Sequence, residues 1–279
     1  MQEEHAIADL CAALDVSRSG YHAWVARKPG PRAQADATLW PLIEQAYKES
    51  RQTYGSPRIR QWLGGHGPKC SRHRVARLMR SHRMRSQSKR RFRVQLTDSN
   101  HDSADCAQSS CAIWRCRPGA TRSGWLTSPA WTRTKGWLYV AGVLDRHTRR
   151  CVGWAMDDTL ATSLPLAALD MALKHRQPAV GLVHHSDRGV QYASAAYRQR
   201  LAAAGVQPSM SRRGNCYDNA AMESFWSSLK RELVHRVRFV TRAEARAAVF
   251  EWIEIVYNRE RFHSALGYKS PVDFETQLN

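Results

Sequence analysis

The chain has 279 residues and carries 43 Lys and Arg against 24 Asp and Glu, a net charge of +19, so it calls for an anionic partner, nucleic acid before an anionic membrane surface. The length suits two domains, each large enough to bury a core. No apolar run of about 18 residues is present, so no spanning helix is expected; Met1-Gln-Glu-Glu-His5 lacks the pattern of a secretory signal, and seven cysteines without a CxxC pair read as reduced thiols of a cytosolic protein.

Residues 1–34 form a helical lead. Ile7, Leu10, Cys11 and Leu14 recur at helical spacing. Val16-Ser-Arg-Ser-Gly-Tyr-His-Ala-Trp24 has a Ser cap and a Gly turn, as in the second half of a helix-turn-helix. Lys28-Pro-Gly-Pro-Arg32 reads as a breaker.

Residues 35–97 form a second, basic helical unit of helix-turn-helix type. Leu39 to Glu49 is amphipathic. Tyr54-Gly-Ser-Pro-Arg-Ile59 is a turn feeding a helix with Pro57 near its first turn, where a missing N–H costs little. Ser71 then caps a helix with Val75, Leu78 and Met79 inward and Arg72, Arg74, Arg77 and Arg80 mostly outward. From Arg51 through Thr97 there is no Asp or Glu. One Arg-rich helix is commonly a solvated face, but a whole acid-free unit suits phosphate contact, where each neutralised phosphate releases condensed counterions. Arg58, Arg72, Arg74, Arg77 and Arg80 are the expected DNA-binding residues.

Residues 98–134 read as a linker and a disturbed strand. Within 103–133, Cys, Ser, Arg and Trp crowd together with neither alternation nor a helical period. From 135 to 279 the pattern is α/β. Gly136–Asp145 and Arg150–Met156 are strands spaced as a hairpin. Leu164–Lys174 is a helix, Gly181–His185 a short buried strand, Ala195–Ala204 a helix stopped by Gly205, and Val206–Met210 a brief strand. Helices at 220–234 and 242–257 close the unit. One more strand is expected before 136, which gives the order of a ribonuclease-H-like sheet.

Two carboxylates stand out. Asp187 follows a strand, in His184-His-Ser-Asp-Arg-Gly-Val-Gln-Tyr192, and Glu223 lies in the first turns of a helix, 36 positions on. Taken singly, each is more often a turn, cap or dipole residue. Together, on rigid elements of a basic protein, they suit a divalent-metal site for phosphoryl transfer, where hard Mg²⁺ takes carboxylate oxygens and two ions flank the reacting phosphate. Asp145, Asp157 and Asp158 are weaker candidates, and the His184–His185 pair reads as packing beside the site.

These motifs, with Ser211-Arg-Arg-Gly-Asn-Cys-Tyr-Asp-Asn219 and Tyr257-Asn-Arg-Glu-Arg-Phe-His-Ser-Ala-Leu-Gly-Tyr268, resemble the insertion-sequence transposases of the IS-three (IS3) family, OrfB subunit, whose core is retroviral-integrase-like. The resemblance implies an integrase-core fold behind a helix-turn-helix-like DNA-binding region. It further implies Mg²⁺- or Mn²⁺-dependent cleavage and joining of insertion-sequence ends with target DNA. Asp187 and Glu223 become catalytic metal ligands, and Lys230, two helical turns after Glu223, becomes a DNA contact. A homo-oligomer, an upstream OrfA partner and a cytoplasmic, nucleoid-associated location are also implied.

The family needs a third carboxylate, about ten positions before Trp137. Trp125-Leu-Thr-Ser-Pro-Ala-Trp131 has none, and no acid occurs between Asp105 and Asp145. Leu126-Thr-Ser-Pro129 can be encoded CTG ACA TCA CCN, which from its third base reads Asp-Ile-Thr, so residues 103–133 read as an out-of-frame patch. A diverged copy is the other explanation. Either way the chain is expected to bind DNA with little or no strand transfer, and a catalytically inactive DNA-binding remnant stands as the alternative function. Pro129, unable to donate to a central ladder, is expected to spoil the first strand.

Overall fold

The computed structural model describes residues 6–86, 121–132, 136–186, 189, 191–210 and 220–278, with the backbone alone for 121–132, 136 and 137. The chain divides into two compact units, Met1–Arg85 and Ser86–Asn279.

The first unit is helical: α1 Ile7–Ala13, α2 Arg18–Val25, α3 Pro31–Glu49, α4 Ser56–His66 and α5 Arg72–Ser81. Ser17 caps α2 by accepting from the Gly20 N–H, and Ser71 caps α5 by accepting from the Arg74 N–H, each satisfying a donor that the first turn leaves open. Two prolines open helices where no N–H is needed, Pro31 in α3 and Pro57 in α4. The expected breaker is therefore the start of α3, which begins eight residues before the expected Leu39 and runs on through Pro41. Leu39, Ile43, Ile59, Leu63 and Val75, all at most 1% exposed, form the centre of this unit.

The second unit is a five-stranded sheet with helices on both faces. Its strands are β1 Thr121–Thr132, β2 Gly136–Asp145, β3 Cys151–Asp157, β4 Val183–Ser186 and β5 Gln207–Met210, in the order β3-β2-β1-β4-β5. The first three pair antiparallel, and β1, β4 and β5 run parallel. This is the expected ribonuclease-H-like arrangement, with the extra strand in place before 136. The helices are α6 Ser163–Arg176, α7 Ala195–Ala203, α8 Ala220–Leu229, α9 Arg242–Glu251 and α10 Pro271–Thr276. Two of them widen toward their ends, α8 over Lys230–Val234 and α9 over Trp252–Glu260.

The period of two along β2 builds both cores. Leu138, Val140 and Leu144 pack with Met222, Phe225, Trp226 and Trp252 from α8 and α9. Ala141 and Val143 pack with Leu164, Ala168 and Ala172 from α6. A strand covered on both faces reads as one continuous apolar run, as 136–145 does. Two glycines mark close approaches: a Cβ on Gly142 would lie 3.1 Å from the Trp226 ring, and one on Gly153 would lie 2.2 Å from the Ala168 carbonyl oxygen.

β1 forms despite its composition. Its register with β2 is regular from Thr121↔Asp145 to Ser128↔Leu138, then shifts before Thr132↔Gly136. Pro129 sits in that interval, so the missing N–H interrupts the ladder locally and does not abolish the strand.

Candidate DNA-processing site

In the second unit, β1 is the middle strand, beside β4, whose last residue Ser186 leads into Asp187. α8, which carries Glu223, packs against β1. Asp187 and residues 211–219 lie outside the described residues. This strand, in contact with both expected acidic elements, holds no Asp or Glu over Thr121–Thr132.

Glu223 is in the first turn of α8 and exposed. The helix buries Met222, Phe225, Trp226 and Leu229, and at about 100° per residue Glu223 and Lys230 share one flank of that stripe. Among the described residues Glu223 makes no ion pair or side-chain hydrogen bond. Neither does Lys230, which is half-buried and whose ammonium pKa is lowered by that burial.

The other candidates are already engaged. The Asp145 carboxylate, 4% exposed, accepts the His147 and Thr148 backbone N–H groups at 2.8 and 3.3 Å and lies 3.7 Å from Arg176. It holds the turn after β2. Asp158 pairs with Arg242 and Arg246 on the surface, and Asp157 accepts from the backbone of its own turn. His184 is buried with Nε2 3.0 Å from the Tyr197 hydroxyl, and desolvation, then His185, lowers its pKa to about 3. The His185 Nδ1 is 3.1 Å from the Ser209 hydroxyl on β5. Both histidines are core residues, as their place before Ser186-Asp187 suggested. No three His, Cys, Asp or Glu side chains are gathered to hold a metal ion among the described residues. With no carboxylate on β1, the donors among the described residues do not make up a two-ion site.

In the first unit, α5 divides its arginines between two jobs. Arg74 and Arg77 bond the two oxygens of Asp36 on α3 at 2.7 and 2.5 Å. The Arg77 hydrogen bond, then that of Arg74, holds the Asp36 carboxyl below its usual range. An acid-free window thus does not mean unopposed cations, because α3 brings an acid from 38 positions away. Arg72 and Arg80 are exposed and make no ion pair among the described residues. Arg58 lies over the Tyr54 ring at 5.4 Å.

One polar cluster escaped the reading of the sequence. Arg261 bonds both oxygens of Glu232 at 2.9–3.1 Å and the Ser228 hydroxyl at 3.0 Å, all three being nearly buried. Asn258 joins α9 to β3, accepting the Cys151 N–H at 2.9 Å and donating to the Cys151 carbonyl at 3.0 Å. The polar run Tyr257–Arg261 at the end of an apolar helix was the available signal.

The comparisons with known proteins follow the same division. Residues 33–92 match the model of an HTH-like domain, and 122–216 and 204–271 match two integrase core domain models. The chain is 42% identical over 271 residues to the insertion element IS600 uncharacterized 31 kDa protein of Shigella sonnei, covering 97% of this chain and 98% of the relative. It is 35% identical over 279 residues to the transposase InsF for insertion sequence IS3A of Escherichia coli strain K12, covering 99% and 96%. A solved chain of the simian T-cell lymphotropic virus intasome matches at a TM-score of 0.45 and 10% identity, covering 77% of this chain and 69% of that one.

Proposed function

This chain belongs to the IS3 family of insertion-sequence transposases, and we propose that it binds insertion-sequence ends while lacking the carboxylate set needed to cut and join them. The observation that carries this reading is β1. It pairs with the strand that leads into Asp187 and packs against the helix that bears Glu223, and it contains no acid.

The family chemistry uses a divalent ion, Mg²⁺ or Mn²⁺, which when bound would activate the attacking oxygen and stabilise the leaving one. Asp187 and Glu223 are the ligands this chain offers. The absence of a competing partner at Glu223 among the described residues supports that role, because a carboxylate engaged as Asp145 is would have to give up its bonds first. Lys230, two turns further along the same flank, is the group we assign to the DNA backbone. Among the described residues its charge has no ion-pair partner, so a phosphate would suit it as a strong one.

We assign DNA contact in the first unit to Arg72 and Arg80 ahead of Arg74 and Arg77, whose charge is already shared with Asp36, and keep Arg58 as a further contact. Assembly on two DNA ends calls for more than one copy, and end recognition with an upstream OrfA protein fits the family. No helix among the described residues is long and apolar enough to cross a membrane. A cytoplasmic, nucleoid-associated location is proposed with the DNA partner.

The test is binding and strand cleavage measured together on a labelled insertion-sequence end with Mg²⁺ or Mn²⁺. The expected outcome is retention of DNA with no cleavage. Cleavage by the unaltered chain, lost on Asp187→Ala, would sink the loss-of-activity reading while keeping the site. An equal preference for RNA, indifferent to Glu223→Ala and Arg72→Ala, would favour a general nucleic-acid binder. The coding DNA gives a separate check on residues 103–133: codons that cannot be re-read as Asp-Ile-Thr would remove the frame explanation and leave divergence.

A further inference from the structure

At Lys230 the helix stops being regular. The His235 N–H donates to the Lys230 carbonyl at 2.8 Å, across five residues where an α-helix spans four. A wide turn carries an extra residue and is frequent at functional sites. Here a side-chain cluster straddles Lys230. Ser228 is two residues before it and Glu232 two after, and both are bonded to the single Arg261 guanidinium. Arg261 comes from the end of the widened stretch of α9, where its own N–H donates across five residues to the Val256 carbonyl at 2.8 Å. The two wide turns thus meet at one buried ion pair. A planar fork suits this geometry, since it can grip a carboxylate with two bonds and keep an N–H for the hydroxyl.

We propose that Ser228, Glu232 and Arg261 form a positioning cluster that pins the backbone on either side of Lys230, and so fixes where the Lys230 ammonium points relative to Glu223. This rests on the reading of Glu223 and Lys230 as parts of one DNA-processing site. The three residues act through the helix and touch no substrate. A purely stabilising ion pair could sit anywhere in the core. This one brackets a half-buried lysine that makes no ion pair among the described residues, which is the residue whose direction a DNA contact would require.

The test is lysine labelling in the full chain. Reductive methylation at fixed pH, read by mass spectrometry, compares Lys230 with Lys48, Lys174 and Lys269. The variants are Ser228→Ala, Glu232→Gln and Arg261→Lys, with circular dichroism to confirm folding. The proposal expects a several-fold change in the Lys230 rate in each folded variant, with the three reference lysines unchanged. Arg261→Lys keeps the charge but cannot bond both sides, so it is not expected to restore the parent rate. Folded Ser228→Ala and Glu232→Gln proteins with the parent Lys230 rate would overturn it.

A second measurement needs no variant. The His235 amide of the unaltered chain should exchange as slowly as the buried amides of α8, and exchange at the rate of an exposed loop would also overturn the proposal. A duplex carrying the insertion-sequence end separates the two readings. If it leaves Lys230 labelling unchanged in the parent while the cluster variants still alter it, the DNA-contact reading fails and the positioning cluster stands.

Discussion

His184 shows how a side chain beside the expected acidic motif is given over to the core. It is 2% exposed, and burial keeps it neutral down to about pH 3 against an ordinary 6.5. Between those values the unfolded chain binds the proton and the folded one does not, so this contribution to stability is full above pH 6.5 and is lost as pH falls toward 3. The slope is about 1.4 kcal/mol per pH unit within that window. Urea melts at pH 7 and pH 5.5 should show the loss, and His184→Gln should flatten it; equal slopes in the two proteins would place the pH dependence elsewhere. The Glu232–Arg261 pair sets a second expectation at this scale. Removing one partner strands a buried charge, so Arg261→Ala should cost about 3–5 kcal/mol, read as a lowered denaturant midpoint. A loss below about 1 kcal/mol would mean that water reaches Glu232 in solution.

At the level of elements, α5 and β1 illustrate what a sequence does and does not tell. The inward Val75, Leu78 and Met79 of α5 were legible from their spacing, and most strands and helices of the second unit were legible from apolar runs and the turn residues that bound them. What could not be read was which arginines of α5 have partners. Asp36 lies 38 residues before Arg74, and Arg261 lies 29 after Glu232; such pairings are set by how helices cross, and no local period encodes that. The split on α5 predicts two phenotypes. Arg72→Ala and Arg80→Ala should each weaken DNA binding and reduce the salt slope by about 1. Arg74→Ala and Arg77→Ala should instead lower the melting temperature by loosening α5 from α3. Salt titrations beside thermal melts decide it, and the reverse pattern would move the DNA face to the other side of the helix. On the sheet, β3 tolerates no side chain at Gly153, where a Cβ would meet backbone at 2.2 Å. Gly153→Ala should therefore destabilise the second unit by about 1–3 kcal/mol or more through overpacking, measured by denaturant unfolding.

For the molecule as a whole, the sequence displayed its family through residues that form local patterns, and the same patterns singled out a strand without an acid. The strand expected before 136 is there, paired on both sides, although its composition gave neither alternation nor a carboxylate. Its backbone follows from the hairpin with β2 and its place between β2 and β4, so the strand forms without alternation and without an acid. Of the proposed site, the placement of Glu223 and Lys230 along one helix was legible. Its supporting cluster was hidden because it joins α8 to a segment after α9. The account therefore predicts a protein whose DNA-binding unit and sheet are intact and whose deficit is confined to one strand.

Strand cleavage and joining on a labelled insertion-sequence end with Mg²⁺ or Mn²⁺ tests that claim most directly. It should be run on this chain beside a version carrying Thr127→Asp, Ser128→Ile and Pro129→Thr. The account predicts that both bind the end and only the altered chain cleaves it; cleavage by the unaltered chain would contradict it.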